Sequence, residues 1–313
     1  MKYYAGLDLG GTFIKCGIVS ETGEIIVKDK IPTNCSSCYD VARDAAAAVK
    51  ALSERAGVKI EAAGIGSPGT IDSENGVVVY SNNLRWHDAP LGKAVEEATG
   101  LKTYVLNDAN AAALGESFCG AGKNYKNSVL VTLGTGVGGG IIIEGKLFEG
   151  GHSAGAEIGH TVIRAGGERC TCGRLGCFEA YASATALIRD TKRAMERDKE
   201  SAMWRICGGD LEKADGKTAF DGMRAGDKSA AQVVAEYIEN LSEGIANLIN
   251  IFRPEVVLLG GGVSAEGDYL IKPLEKAVAG KVFAGNDYAP AQIKTASLKN
   301  DAGLCGAAKY AMR

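Results

Sequence analysis

The chain has 313 residues, of which 46% are hydrophobic and 23% charged, a composition typical of a folded globular protein and not of a disordered or fibrous one. The formal net charge of -3, with no long basic run, argues against a nucleic-acid partner. No apolar stretch reaches the roughly 18 residues of a membrane span, and the N-terminus begins a strand-like run instead of a signal peptide. We therefore expect a cytoplasmic protein with no membrane partner. Nine cysteines, an odd number, exclude a complete disulfide framework and favour metal or thiol chemistry.

The first third of the chain predicts a three-stranded meander followed by alternating helices and strands. The meander covers 2–9, 13–19 and 24–28, with glycine turns between the strands. The elements expected after it are a helix over 40–56, a buried strand over 62–66, a helix over 91–99 and a strand over 103–106.

The pattern then repeats. A second meander begins at Ser128, where Leu133-Gly134-Thr135-Gly136 corresponds to Leu9-Gly10-Gly11-Thr12, so that an apolar strand again runs into a glycine-rich turn. We interpret this as an internal duplication. The later elements predicted are helices over 180–196 and 230–252, a strand over 256–259 leading into three glycines and a further helix, and a last helix over 303–312, with a polar surface excursion over 197–228.

The two glycine-rich turns are candidate anion-binding sites. Exposed backbone N–H groups in such turns suit a polyphosphate, and Asp8 beside the first turn would repel phosphate unless a divalent cation lay between them. Asp8 therefore implies Mg²⁺, and Thr12 can donate its hydroxyl to the same phosphate. The alternative is that both turns are ordinary tight hairpins. Neither turn has the spacing of a P-loop or of a dinucleotide fingerprint.

Three motifs resemble those of the sugar kinase, actin and heat-shock ATPase superfamily: Asp8-Leu9-Gly10-Gly11-Thr12, Leu133-Gly134-Thr135-Gly136-Val137-Gly138 and Leu259-Gly260-Gly261-Gly262-Val263-Ser264. Within it, Glu157-Ile158-Gly159-His160 and the stretch from Cys170 to Glu179 resemble the ROK family of repressors and kinases, and most of all its bacterial glucokinases. Only seven residues precede Asp8, whereas ROK repressors carry a DNA-binding segment there, and we therefore favour the kinase branch.

The resemblance implies an α/β fold of the actin-like ATPase type, with two ribonuclease H-like lobes and a cleft between them. We expect one lobe over 1–117 and 299–313, and a larger lobe with a zinc loop over 118–298. The residues expected to bind MgATP are Asp8, Gly10, Gly11, Thr12, Gly134, Thr135, Gly136, Gly261 and Gly262.

Asp108 is the candidate catalytic base. It follows a predicted strand and opens an alanine-rich helix, where a plain capping aspartate would be the alternative reading. The resemblance implies that its carboxylate accepts the proton of a sugar hydroxyl. The residues expected to contact the sugar are Gly69, Asn83, Asn107, Asp108, Glu157, His160 and Glu179, with Asn82 as a substitute for Asn83.

One histidine and three cysteines form a candidate zinc site. His160, Cys170, Cys172 and Cys177 supply the four ligands of a closed, structural tetrahedral site, and the resemblance supports this set. Cys35 and Cys38 form a CxxC pair without a thioredoxin-like context, so we assign them no redox role.

Together these features predict an ATP-dependent hexokinase that phosphorylates the 6-hydroxyl of a hexose, with glucose as the favoured substrate. The same chemistry on N-acetylmannosamine, N-acetylglucosamine, allose or fructose stays open, since the motifs do not decide it. Two other classes are a non-catalytic sugar-sensing ROK protein and an actin-like or chaperone-like ATPase. The sequence also leaves a homodimer open.

Overall fold

The structure is a computed structural model that describes residues 1–285, 288 and 290–313. The described residues form a mixed α/β fold with two five-stranded sheets and one three-stranded sheet. Within the described residues, no helix has both the length and the apolar character that crossing a bilayer requires.

The first sheet begins with the predicted meander. Its strand order is β3-β2-β1-β4-β8, in which β1 and β2 are antiparallel and β1, β4 and β8 run parallel. Asp8, near the end of β1, lies opposite Lys15 on β2. The strands of this sheet are β1 (Tyr3–Leu9), β2 (Phe13–Ser20), β3 (Ile25–Pro32), β4 (Ile60–Ser67) and β8 (Lys102–Asn107).

Three helices accompany this sheet, and all three were expected from the sequence. They are α1 (Cys38–Ala56), α2 (Leu91–Thr99) and α3 (Asp108–Cys119). The Ser37 side chain caps α1 by accepting a hydrogen bond from the backbone N–H of Asp40, and Gly57 ends the helix in the left-handed conformation. The buried face of α1 lies against β2 and β3, and its apolar residues belong to the same core as those of β1 and β2, which fixes the strands on both sides of the turn after β1.

The three-stranded sheet was not predicted. It consists of β5 (Thr70–Asp72), β6 (Val77–Ser81) and β7 (Trp86–Ala89), all antiparallel. Strands of three to five residues are too short for the alternation of apolar and polar residues to stand out. This sheet carries the segments around Gly69 and Asn83.

The second large sheet repeats the order of the first. Its strand order is β11-β10-β9-β12-β13, with β10 and β11 antiparallel and β12 and β13 parallel. The matching orders of the two sheets agree with the duplication inferred from the sequence. The strands are β9 (Ser128–Leu133), β10 (Val137–Ile143), β11 (Lys146–Phe148), β12 (Val256–Gly260) and β13 (Gln292–Thr295).

The helices of the second half correct two expectations. The single helix predicted over 180–196 is broken at Ser183, whose backbone is extended and whose hydroxyl caps the next helix. The excursion over 197–228 contains two helices, and Met203 in the first of them is fully buried, so this segment is part of the packed structure. The helices are α4 (Glu179–Ala182), α5 (Ala184–Arg197), α6 (Ala202–Ile206), α7 (Thr218–Arg224), α8 (Lys228–Phe252), α9 (Asp268–Ala279) and α10 (Ala302–Tyr310).

The chain forms two compact units. The first contains Met1–Leu130, Gly140–Ala156 and Ala296–Arg313, and the second contains Val131–Gly139 and Glu157–Thr295. The lobe boundaries expected from the sequence remain a prediction.

Candidate active site

The turn between β1 and β2 holds the first of the predicted phosphate-binding segments. It is closed by a hydrogen bond from the Gly10 N–H to the Phe13 carbonyl oxygen, at 3.0 Å. The side chain of Thr33 fixes it from the neighbouring strand end, because its hydroxyl donates to the Gly10 carbonyl oxygen at 2.8 Å. Gly11 and Thr12 are exposed at the tip of the turn, where their backbone is open to a ligand.

Asp8 lies beside this turn and forms a salt bridge with a lysine. The Lys15 Nζ donates to the Asp8 Oδ2 at 2.8 Å, across the antiparallel pair in which the two residues face each other. A single carboxylate that shares its cation with bound phosphates is typical of Mg²⁺ sites, where water and phosphate supply the other ligands. The Asp8 carboxylate is of the kind that Mg²⁺ prefers as a ligand, and Lys15 balances its charge in this structure.

The loop around Gly69 is tied to the helix that carries Asp108. The Asn107 Nδ2 donates to the Gly69 carbonyl oxygen at 3.1 Å. Gly69 itself has φ of +114°, and a side chain there would overlap the Tyr80 carbonyl oxygen, so only glycine fits. Asn83, exposed in the turn after β6, has its carbonyl oxygen 3.8 Å from the position a Cβ on Gly11 would take. The predicted sugar segments of the first unit thus lie close to Asp108 and to the first phosphate turn.

Asp108 is the first residue of α3 and not its N-cap, which corrects the sequence interpretation. The cap is Asn107, whose Oδ1 accepts hydrogen bonds from the N–H groups of Ala109 and Asn110 at 2.9 and 3.2 Å. The Asp108 Oδ1 also accepts from the Ala109 N–H, at 2.9 Å, so Asp108 shares one of the two N–H groups that Asn107 caps. It lies at the N-terminal end of α3, where the partial positive charge of the helix dipole interacts favourably with a carboxylate. Asn107 has a positioning role here, and a direct contact with sugar stays a prediction.

The turn between β9 and β10 holds the second of the predicted phosphate-binding segments. The Gly134 N–H donates to the Gly136 carbonyl oxygen at 3.0 Å, and the hydroxyl of Thr185 donates to the Thr135 carbonyl oxygen at 2.8 Å. Thr135 is exposed and no atom crowds the space above Gly134. A residue of α5 therefore holds the turn in place, while the space above Gly134 stays open to a ligand.

Gly261, from the predicted adenosine motif, packs against the end of the same strand. Its φ is +82°, and a Cβ there would overlap the backbone of Leu133. Gly262 next to it has open space where a side chain would be. The second phosphate turn and the adenosine motif are thus neighbours in the second unit.

Glu179, the first residue of α4, connects the second phosphate turn to the cysteine loop. Its Oε2 accepts from the Val137 N–H at 3.1 Å, and its Oε1 accepts from the Thr171 hydroxyl at 2.7 Å. A side chain at Gly136 would collide with this carboxylate. One predicted sugar-binding carboxylate is therefore held by the turn on one side and by the loop on the other.

The four predicted zinc ligands come together. One side-chain atom from each of His160, Cys170, Cys172 and Cys177 lies within 4.8 Å of all the others. The Sγ atoms of Cys172 and Cys177 are 3.7 Å apart, and the Cys170 Sγ is 3.6 Å from the His160 Nδ1. Tetrahedral zinc with ordinary bond lengths would need about 3.8 Å between two sulfurs and about 3.6 Å between sulfur and nitrogen. The donor set and its spacing fit a closed zinc site.

The loop's own hydrogen bonds hold these ligands in place. The Cys170 N–H donates to the Arg174 carbonyl oxygen at 2.9 Å, which folds the segment into a tight turn. Burial raises the pKa of the Cys177 thiol to about 12, whereas the hydrogen bond with the Arg174 backbone lowers the pKa of the exposed Cys172 thiol. A metal that binds three thiolates must therefore displace protons, most of all from Cys177.

His160 and Glu157 lie on one short turn that leads into this loop. The His160 N–H donates to the Glu157 carbonyl oxygen at 3.1 Å, and the Glu157 side chain is exposed. Since the Nδ1 of His160 faces the cysteines, its Nε2 is the ring nitrogen left for another partner. The expectation that one histidine serves both metal and sugar stays a prediction.

Sequence reasoning missed four residues that support these segments: Lys15, Thr33, Thr171 and Thr185. Lys15 could have been found, because a turn closing between Gly10 and Phe13 fixes the register that places it opposite Asp8. The three threonines act through hydroxyls on distant or loop segments, for which the sequence carries no periodic signal.

Comparison with known proteins gives one consistent result. The family model described as "ROK family" matches residues 4–313. A glucokinase of Thermotoga maritima is 40% identical over 310 residues, which cover 97% of this chain and 95% of that enzyme. A solved ROK family glucokinase from Streptomyces griseus, in complex with glucose and AMPPNP, has a TM-score of 0.83 and 37% identity, and 99% of each chain is covered. A xylose repressor of Caldicellulosiruptor bescii is 30% identical over 96% of this chain and 76% of its own length.

These similarities extend over nearly the whole chain and include the segments described above. They also show that the fold is the actin-like ATPase fold of ROK sugar kinases. The chain belongs to the ROK family.

Proposed function

We propose that this protein is an ATP-dependent hexokinase that transfers the γ-phosphoryl group of ATP to the 6-hydroxyl of glucose. The observation that carries the proposal is Asp108 at the start of α3, next to the N-cap residue Asn107 and tied through it to the Gly69 loop. Its support is the similarity over nearly the full chain to glucokinases, one of which binds glucose and AMPPNP.

In this reaction the Asp108 carboxylate accepts the proton of the 6-hydroxyl as that oxygen forms its bond to the γ-phosphorus. The bond between the γ-phosphorus and the bridging oxygen breaks, and ADP leaves with the electron pair. The transition state is loose, so positioning and charge neutralisation contribute most of the rate. Asn107 orients the Asp108 helix and Gly69, while Glu179, Glu157 and the His160 Nε2 would bind the other sugar hydroxyls.

The nucleotide would use the two glycine turns and the adenosine motif. The N–H groups of the turns suit phosphate oxygens, and the open space at Gly262 suits a nucleoside. Asp8 would hold Mg²⁺, which neutralises charge on the transferred group when bound.

Changing Asp8 to Asn should raise the Mg²⁺ concentration needed for half-maximal rate severalfold, with glucose affinity unchanged in a direct binding titration. A rise confined to the glucose KM would contradict the assignment.

The zinc ion would be structural. Four protein ligands close the tetrahedron and leave no position for substrate, so its contribution is to fix the His160 ring and the loop that carries Thr171. We also propose a reducing compartment, the cytoplasm, because all nine cysteines are free and three of them would be needed as thiolates.

A coupled assay that measures ADP release across a panel of hexoses tests the proposal. The panel contains glucose, N-acetylmannosamine, N-acetylglucosamine, allose and fructose, and the Asp108→Asn variant is the matched control. We expect the highest kcat/KM with glucose and at least a hundredfold lower rate in the variant. A higher kcat/KM with another sugar would contradict glucose as the substrate but would leave the proposed phosphoryl transfer unchanged.

The alternative function is that of a non-catalytic sugar sensor, and the observation that favours it is the similarity to a xylose repressor. Glucose binding in a titration, together with no ADP release for any sugar of the panel, would favour that function over the kinase.

A further inference from the structure

The turn over 261–266, which follows β12 and carries the predicted adenosine motif, is held in place at two points. Its first half is fixed locally, because the Ser264 hydroxyl donates to the Gly261 carbonyl oxygen at 2.7 Å. Its second half ends at Glu266, and the next residue, Gly267, has a left-handed backbone with φ of +58° before α9 begins. The position of Glu266 therefore determines how this end of the turn lies.

The Glu266 carboxylate is buried and is paired with one cation. Only 7% of the side chain is exposed, and its Oε2 accepts from the Arg224 guanidinium group at 2.6 Å. Within the described part of the chain, no other basic side chain forms an ion pair with this carboxylate. Because a buried carboxylate that loses its partner keeps the full cost of leaving water, Arg224 is the residue that stabilises Glu266 in this position.

Arg224 makes two further contacts through the same guanidinium group. It donates to the Asp221 Oδ1 at 2.5 Å, one turn earlier in α7, and its Cζ lies 5.0 Å from the centre of the Tyr269 ring, in the first turn of α9. A planar guanidinium group can bind several partners at once because its five N–H donors have fixed directions. Arg224 thus connects α7, the turn that ends at Glu266 and the start of α9.

The helix that carries Arg224 is itself firmly packed. Phe220 of α7 is fully buried, and Gly222 lies against α8, since a Cβ at Gly222 would be 2.6 Å from the Ala230 Cβ. Arg224 is the last residue of α7, so its side chain extends from a backbone whose position is fixed.

We propose that Arg224 is a positioning residue for the nucleotide, which through Glu266 holds the turn that carries Gly261 and Gly262. This role rests on the proposed function, in which the open space at Gly262 accepts the nucleoside. Arg224 acts through the protein and does not contact the ligand. When its charge is removed, Glu266 leaves its buried position and the turn moves with it. The affinity for ATP then falls, whereas Asp108 and the proposed sugar residues lie on other segments and keep their geometry.

The expected kinetic effect is confined to ATP. An interaction that contributes equally to the ground state and the transition state changes KM and leaves kcat as it was. In Arg224→Met the ATP KM should rise at least fivefold, with kcat within twofold of that of the unchanged protein and with the same glucose KM. Methionine is suited to this test because it retains much of the apolar stem of arginine while removing the charge and the donors.

Titration calorimetry with AMPPNP and Mg²⁺ on the full chain measures the same effect without turnover. We expect Arg224→Met to bind AMPPNP at least fivefold more weakly, and to bind glucose, in a separate titration, as tightly as the unchanged protein does. The control Arg205→Met removes an exposed cation of α6 and should bind both ligands as the unchanged protein does.

A second substitution separates positioning through Glu266 from direct contact with the nucleotide. In the double variant Arg224→Met, Glu266→Gln, the neutral side chain at position 266 needs no counter-ion and can stay in place. We expect the double variant to recover most of the AMPPNP affinity that Arg224→Met loses, and to unfold at a higher temperature than that single variant.

Three results would overturn the proposal: unchanged AMPPNP affinity in Arg224→Met, a double variant that binds AMPPNP as weakly as the single one, or an equal loss of glucose affinity. The second result would indicate direct contact between Arg224 and the nucleotide, and the third a general loss of structure. An unchanged protein that binds AMPPNP but phosphorylates no sugar would contradict the proposed function alone, because AMPPNP binding does not require phosphoryl transfer.

Discussion

Asp108 illustrates how one residue can be assigned a chemical task because its neighbour performs the structural one. Since Asn107 caps α3 and the amide oxygen of the variant can still accept from the Ala109 N–H, changing Asp108 to Asn should leave the helix intact. We expect kcat to fall by roughly a hundredfold or more, because an amide cannot accept the proton of the sugar hydroxyl.

Glucose affinity, measured by calorimetry, should change by less than about threefold in the same variant. Turnover at the unchanged rate would remove Asp108 from the role of base, and a large loss of affinity with kcat intact would make it a binding residue only.

Thr171 offers a second test at the scale of single residues. Its hydroxyl holds the Glu179 Oε1 at 2.7 Å from inside the zinc loop, although it is not itself a metal ligand. Thr171→Val should raise the glucose KM by about threefold to tenfold, with zinc content unchanged, because the carboxylate loses a charge-assisted hydrogen bond at an exposed position.

Thr171→Ser keeps the hydroxyl and serves as the matched control, with kinetics close to those of the unchanged protein. Identical glucose KM values for the valine and serine variants would show that the hydroxyl does not position Glu179.

For single residues, the sequence indicated which residue types stand at the site but not which of two neighbours has which role. It indicated that Asn107 and Asp108 stand at a helix start, but Asn and Asp cap equally well, so only the backbone geometry shows which one is the cap. The hydroxyls of Thr33 and Thr185, which hold the two glycine turns, were not predicted because their partners are carbonyl oxygens far away in the sequence.

The loop that carries the candidate zinc ligands is the element on which the proposed sugar residues of the second unit depend. It fixes His160 directly and Glu179 through Thr171. Cys172→Ser should lower zinc below the expected stoichiometry of about one per chain and weaken glucose binding at least tenfold, and added Mg²⁺ should restore neither, since a hard cation disfavours thiolates.

Cys119→Ser, at a cysteine of α3 outside the cluster, is the control and should retain both zinc and glucose affinity. Metal analysis and calorimetry on the same samples give the readout. A zinc-depleted Cys172→Ser protein with full glucose affinity would separate the metal from the sugar site.

Long elements with strong periodicity were predicted well, and short ones were not. The pattern located α1, α2 and α8 within a few residues, because each buries one face over several turns. It missed the break at Ser183, since an extended residue that caps the next helix leaves the apolar spacing almost undisturbed. It also missed the three-stranded sheet around Gly69, whose strands are too short to show alternation.

For the whole molecule, the repeated strand order of the two sheets was foreseeable because the glycine turns that follow β1 and β9 repeat in the sequence. The division into units was harder to foresee. The chain crosses between units within β9 and within β10, where the strand pattern continues without interruption.

The central claim is that this chain transfers the γ-phosphoryl group of ATP to the 6-hydroxyl of glucose. Phosphorus NMR of a reaction containing ATP, Mg²⁺ and glucose tests it most directly. The account predicts glucose 6-phosphate and ADP in equal amounts, no product with 6-deoxyglucose, and slow ATP hydrolysis when no sugar is present. Release of inorganic phosphate at the same rate with and without glucose, or phosphate attached to another hydroxyl, would contradict it.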